Sequence, residues 1–165
     1  MKQFVYIVFL LLSLHVSAQT EKNYGIQFYH GTWKEACDKA KAENKLIFVD
    51  FYTKWCGPCL NMAENVFILP FIGDFYSTNF VNMKIDAENG EGVELAKRYG
   101  VNSYPTYVFV DPKNGDVVHR SKSRQEAEQF LATGKSALVP ELRSGYLIEE
   151  FAKGRDDREF LKNYI

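Results

Sequence analysis

Cysteine is scarce in this chain, with three in 165 residues. Three thiols are too few for a disulfide scaffold, so composition points to one special pair and one spare. Histidine is equally sparse: His15, His30 and His119 lie far apart, and no stretch is rich in Met or His. A zinc site therefore draws on a thin, unclustered pool of ligands, and nothing supports a copper carrier. Charge of one sign is lacking as well, since 20 basic and 21 acidic side chains leave a net charge of −1. Nucleic acid and anionic membrane surfaces are not expected as partners. There is no internal repeat and no low-complexity segment. What is plentiful is apolar and aromatic bulk, 46% hydrophobic with 13 Phe and 10 Tyr, enough for one filled core and too short for two ordinary domains.

The N-terminus sets an address. Met1-Lys2 supplies a positive start, Phe4 to Leu14 form an apolar run, and Val16-Ser17-Ala18 follows as a small-residue pattern. Residues 1–18 read as a secretory signal cleaved before Gln19. The rival reading is an uncleaved anchor, but a spanning helix needs about 20 apolar residues and this run is shorter. No cysteine follows the run, which argues against a lipid-anchored form. Loss of Lys2 takes the mature chain from −1 to about −2. A periplasmic or secreted protein follows, with no membrane contact after cleavage, in a place where disulfides persist.

Residues 19–30 form a lead-in segment, extended around Ile26 to Tyr29. Thr32 and Glu35 make a capping box, and Trp33, Ala36, Cys37 and Ala40 then recur at helical spacing to about Glu43. Lys45 to Tyr52, KLIFVDFY, suits a central strand, although Asp50 interrupts it. A helix starts near Cys56 and ends before Pro70, with further helix through Tyr76. Phe80 to Asp86 is a second strand. Glu91 to Tyr99 is a short helix with Val93, Leu95, Ala96 and Tyr99 inward, closed by Gly100. Pro105 to Val110 is a third strand, Asp111 to Gly115 a turn, and Val117 to Arg120 its hairpin partner. Ser123 to Thr133 is helical, with Ala127, Phe130 and Leu131 on one face.

Strands joined through helices are expected to run parallel, and the Asn-Gly turn makes the last pair antiparallel. The fold class is α/β: a mixed sheet with helices on both faces. Residues 135–165 fall outside that pattern and form a C-terminal helical extension. Leu138, Leu142, Tyr146, Leu147 and Phe151 suggest one helix there, and Phe160, Leu161 and Tyr164 a second. Either this pair docks on the domain or a longer protein continues from it.

The chemistry concentrates in Trp55-Cys56-Gly57-Pro58-Cys59. A helix that begins at Cys56 offers unpaired N–H groups and the positive end of its dipole to a thiolate there. Cys59 lies one turn on, within reach of the Cys56 sulfur. Pro58 is tolerated because its missing N–H has no partner to lose. Such a pair opens and closes reversibly: Cys56 attacks a substrate disulfide and Cys59 resolves the mixed disulfide. A purely structural bridge at this spacing closes a tiny loop and constrains little. A metal site needs two more ligands.

On this motif residues 31–134 resemble a thioredoxin-fold domain. The pattern of Trp33, Ala36, Ala40 and Asn44-Lys45-Leu46-Ile47-Phe48-Val49-Asp50-Phe51 is similar to secreted thioredoxin-like domains, including the C-terminal domain of membrane thiol:disulfide interchange reductases. The resemblance implies disulfide-containing protein substrates, no cofactor, and a membrane or soluble electron donor. It implies catalytic roles for Cys56, Cys59 and Asp50, whose carboxylate in an apolar strand gains a raised pKa suited to taking the Cys59 proton. It places Pro105 as a cis-proline facing the cysteines, with Trp55, Gly57, Pro58 and Tyr104 beside it at the substrate-binding surface. Less specific readings remain: a polar core residue for Asp50, a strand-start proline for Pro105, and simple packing for Trp55.

Three positions depart from the family pattern. The lysine beside the buried acid aligns with Asn82, and Lys84 lies one strand repeat away on the same face. The glycine near the end of the last hairpin is missing around Arg120-Ser121. Tyr104 is bulkier than the usual residue before the proline. The Gly-Pro dipeptide resembles reducing members, which favours a protein-disulfide reductase over an oxidase or isomerase. A binding or scaffold module is the non-enzymatic alternative. Cys37 is expected to be a buried, inert thiol.

Overall fold

The computed structural model describes residues 24–164. The expected signal peptide and cleavage point, and the start of the lead-in segment, lie outside the described residues. Helix α1 spans Trp33–Glu43 and opens on the expected capping box: Thr32 accepts from the Glu35 N–H, and the Glu35 carboxylate accepts from the Thr32 N–H. Asn44 closes it in the left-handed conformation, φ 51°. Strand β1 follows as Leu46–Tyr52, then α2 (Gly57–Asn65), α3 (Pro70–Asn79) and β2 (Phe80–Asp86). Next come α4 (Gly92–Arg98), β3 (Thr106–Val110), β4 (Val117–Lys122) and α5 (Ala127–Leu138). A 3₁₀ turn at Pro140–Leu142 leads to α6 (Ser144–Ala152) and α7 (Arg158–Tyr164).

The four strands lie in the order β2-β1-β3-β4. β1 and β2 are parallel, with Asp50 opposite Lys84, and a single bridge from Phe28 to Asn82 sets the lead-in segment beside β2. β3 corrects the sequence reading: it runs antiparallel to β1, with Thr106 opposite Phe51, although a helix joins it to β2. The reason is length. The seven residues of α4 rise about 10 Å, whereas a seven-residue strand covers about 23 Å. α4 cannot carry the chain back along the sheet, so β3 starts at the end where β2 stops. α2 and α3 together do make that return between β1 and β2.

Alternation along the strands fills both faces. Ile47, Val49 and Phe51 meet Ala36, Ala40, Leu95 and Ala96 on one side. Phe48, Tyr107 and Phe109 meet Met62, Ile72, Tyr76 and Phe130 on the other, where the Tyr76 and Phe130 rings stack at 4.5 Å. Val93, expected inward, is exposed, because the short α4 buries only its Leu95 and Ala96 side.

α5 starts at Ala127, four residues later than expected, and runs on to Leu138. Ser123 explains the late start: its φ of 71° is left-handed, and its N–H donates to Pro105 O at 2.9 Å. The left-handed φ does not fit a helical first turn. Leu138 and Leu142 therefore belong to α5 and the 3₁₀ turn, not to one helix with Leu147. The C-terminal helices dock on the domain. The Ser144 N–H donates to His119 Nδ1 at 2.9 Å, its Oγ accepts from the Arg120 N–H at 2.8 Å, and Leu147 is buried.

Candidate active site

The site forms where β1 gives way to α2. The Cys56 N–H reaches back to Thr53 O at 3.2 Å, which turns the chain so that Cys56 becomes the N-cap of α2. Its Sγ accepts from the Cys59 N–H at 3.1 Å. Pro58 sits in the first turn, where no N–H is needed. The two sulfurs are joined in a disulfide with Cα atoms 5.3 Å apart, and both residues are buried. An unpaired helix terminus therefore points at the Cys56 sulfur, an arrangement that favours negative charge there when the bond opens.

A cleft of about 230 Å³ opens beside the bridge, walled by Tyr52, Thr53, Trp55, Cys56, Gly57, Cys59, Leu60, Ala63 and Lys84. Trp55 is 69% exposed yet held in place. Its indole N–H donates to the Glu88 carboxylate at 3.0 Å, and its ring meets Tyr104 edge-on at 5.9 Å. That ring contact brings the Tyr104-Pro105 loop to the motif, and the Tyr104–Pro105 peptide is cis. Pro58, Tyr104 and Pro105 do not line the cleft itself.

Asp50 lies on the sheet face that α2 covers and is 1% exposed. Burial pushes its carboxyl above the usual range, and the Lys84 ammonium, 2.7 Å from Oδ2, opposes that push without cancelling it. Oδ1 has no hydrogen-bond partner among the described residues. Thr53 Oγ1 and the Tyr107 hydroxyl are likewise buried and unpartnered, and Tyr107 stands directly opposite Asp50 on β3. Burial, with the Asp50 charge as the smaller cause, raises the Tyr107 phenol far out of the working range. Asp50 is not part of the cleft wall, but its ion-pair partner Lys84 is.

Lys84, one strand repeat from the aligned position, thus stands beside the acid. Asn82 instead donates to Tyr76 O at 3.2 Å. Cys37 is half-buried rather than buried, and burial raises its thiol pKa. Sequence reasoning missed Glu88, Tyr107 and Leu60. Glu88 carries no local signal, Tyr107 reads as one more aromatic in PTYVFV until register places it, and Leu60 is an exposed leucine on the cleft rim that no sequence signal singles out.

A family model for thioredoxin-like domains matches residues 33–138. The chain is 48% identical over 69 residues to Thioredoxin-1 of Drosophila yakuba, a match that covers 42% of this chain and 60% of that protein. It is 41% identical to a candidate disulphide-isomerase from Bacteroides thetaiotaomicron whose solution structure superposes with a TM-score of 0.64, covering 72% of this chain and 97% of that one. The C-terminal domain of Neisseria meningitidis DsbD, in its oxidised form, is 25% identical with a TM-score of 0.52, covering 64% of this chain and 95% of that one.

Proposed function

The chain belongs to the thioredoxin-like domain family, and from that premise we propose that it is an exported protein-disulfide reductase. The observation that carries the reading is the Cys56–Cys59 bridge at the N-terminus of α2. In the dithiol form, the Cys56 thiolate attacks one sulfur of a substrate disulfide. A mixed disulfide forms and the first substrate thiolate leaves. Cys59 then gives its proton to Asp50 and attacks the Cys56 sulfur, which closes the bridge seen here and releases the second substrate thiolate. Two electrons pass from the protein to the substrate, so a membrane or soluble thiol donor must reopen the bridge.

The reducing direction is supported by the Gly57-Pro58 dipeptide, and export by the charged start, apolar run and small residues of segment 1–18. Trp55, Gly57, Pro58, Tyr104 and Pro105 hold the substrate segment: the first two wall the cleft, and Tyr104 ties the cis-proline loop to Trp55. Substrate proteins are disulfide-bonded and extracytoplasmic. An isomerase is the second reading, favoured by the description of the Bacteroides thetaiotaomicron relative.

Turbidimetric insulin reduction driven by dithiothreitol tests the main reading. Cys56→Ser is expected to abolish catalysis, whereas Cys59→Ser accumulates mixed disulfides that can be captured and identified. Catalysis that survives Cys56→Ser sinks the assignment. Repair of scrambled ribonuclease without net consumption of donor would favour the isomerase.

A further inference from the structure

Lys84 is paired with the buried acid from within a shell of rings. Its Nζ lies 4.4 Å from the centroid of Tyr52, 5.4 Å from Phe67 and 5.9 Å from Phe28. The three rings come from separate segments: the end of β1, the turn after α2, and the lead-in segment that bridges to β2 at Asn82. Phe28 and Phe67 also touch each other at 5.8 Å, so the shell is continuous on that side.

A lysine ammonium on a flexible stem is strongly hydrated, and Lys84 is 29% exposed, so water competes for it. Ring faces attract a cation without accepting a full hydrogen bond, and they displace that water. Among the described residues Asp50 is the carboxylate within ion-pair distance of Lys84. The other titratable groups facing the pair are Tyr107 on β3, Asp86 two residues along β2, Cys59 on α2 and Tyr52 itself.

We propose that Phe28, Tyr52 and Phe67 are positioning residues: an aromatic cage that holds Lys84 on Asp50 Oδ2, leaves Oδ1 uncommitted, and so sets the pH at which Asp50 ionises. A loosened cage lets Lys84 turn to solvent. Asp50 then keeps its burial but loses the charge that opposes it, and it ionises at higher pH. The consequence for catalysis rests on the reading of Asp50 as proton acceptor, whereas the cage itself does not.

The two are separated by following the Asp50 carboxyl directly, by ¹³C NMR titration of the reduced full-length protein, alongside the pH profile of insulin reduction. Tyr52→Leu is expected to raise the Asp50 midpoint by about half a unit, and Tyr52→Phe, which keeps the ring, to leave it in place. Phe67→Leu serves if Tyr52→Leu does not fold. In a Lys84→Met background the leucine substitution should add nothing, because the rings act through the ammonium. A midpoint that stays put in Tyr52→Leu, or that still moves without Lys84, overturns the cage. A midpoint that moves while the acid limb of the rate profile does not would uphold the cage and remove Asp50 as the acceptor.

Discussion

Asp50 shows how a single buried carboxyl trades stability for chemistry. Its folded pKa is raised, so the native state holds the proton more tightly than the unfolded chain does. The stability linked to that proton is present below the unfolded value of 3.8 and is lost as pH rises through the folded value. Asp50→Asn is therefore expected to make the protein more stable to urea at neutral pH while slowing release of the mixed disulfide. Unchanged release rates remove Asp50 from the proton path. Cys56, Cys59 and Asp50 were legible in the sequence, because a Cys-x-x-Cys pair and a charge inside an apolar run are local signals. Lys84 was half legible: a period of two put it on the right face, and only the parallel register with β1 put it opposite Asp50. Glu88, Tyr107 and the Lys84 cage were not legible, since each depends on where a distant loop or strand comes to rest.

Among the elements, strand and helix positions followed the sequence pattern closely, as did the parallel β1–β2 pair and the antiparallel last hairpin, and the direction of β3 against β1 did not. Periodicity marks which residues share a face and says nothing about whether a connecting helix is long enough to retrace a strand, which is where α4 and β3 went astray. The junction before α5 has a different cause. Ser123 holds a left-handed backbone that a side chain disfavours by about 1–2 kcal/mol, and its N–H secures Pro105 O. Ser123→Gly removes that cost but adds freedom to the unfolded chain. A net gain of about 0.5–1 kcal/mol is expected in urea unfolding. A loss of stability would mean that the serine side chain contributes more than its backbone costs.

For the molecule as a whole, the C-terminal helices are fastened to the sheet by two neighbouring residues of β4. His119 is 8% exposed and accepts the Ser144 N–H, so it must be neutral at Nδ1. Burial, with the Arg143 charge as the smaller cause, lowers its pKa to about 4. The unfolded chain therefore binds this proton more readily, and stability is lost as pH falls from 6.5 through about 4. Across that window the loss amounts to about 3 kcal/mol. His119→Asn should flatten that part of the profile in thermal unfolding, and an unaltered slope would clear His119 of the effect. Docking of residues 135–165 was one of two readings open in the sequence, because Leu147 and Phe160 mark apolar faces without naming what they meet.

The bond from the Arg120 N–H to Ser144 Oγ reaches outward from β4, the edge strand of the sheet among the described residues. Left bare, that rim would offer a template on which another molecule's backbone could zip. α6 serves as a bumper there. Acid strong enough to protonate His119 is therefore expected to loosen α6 from that border, and light scattering should rise before the near-ultraviolet signal of the aromatic core is lost.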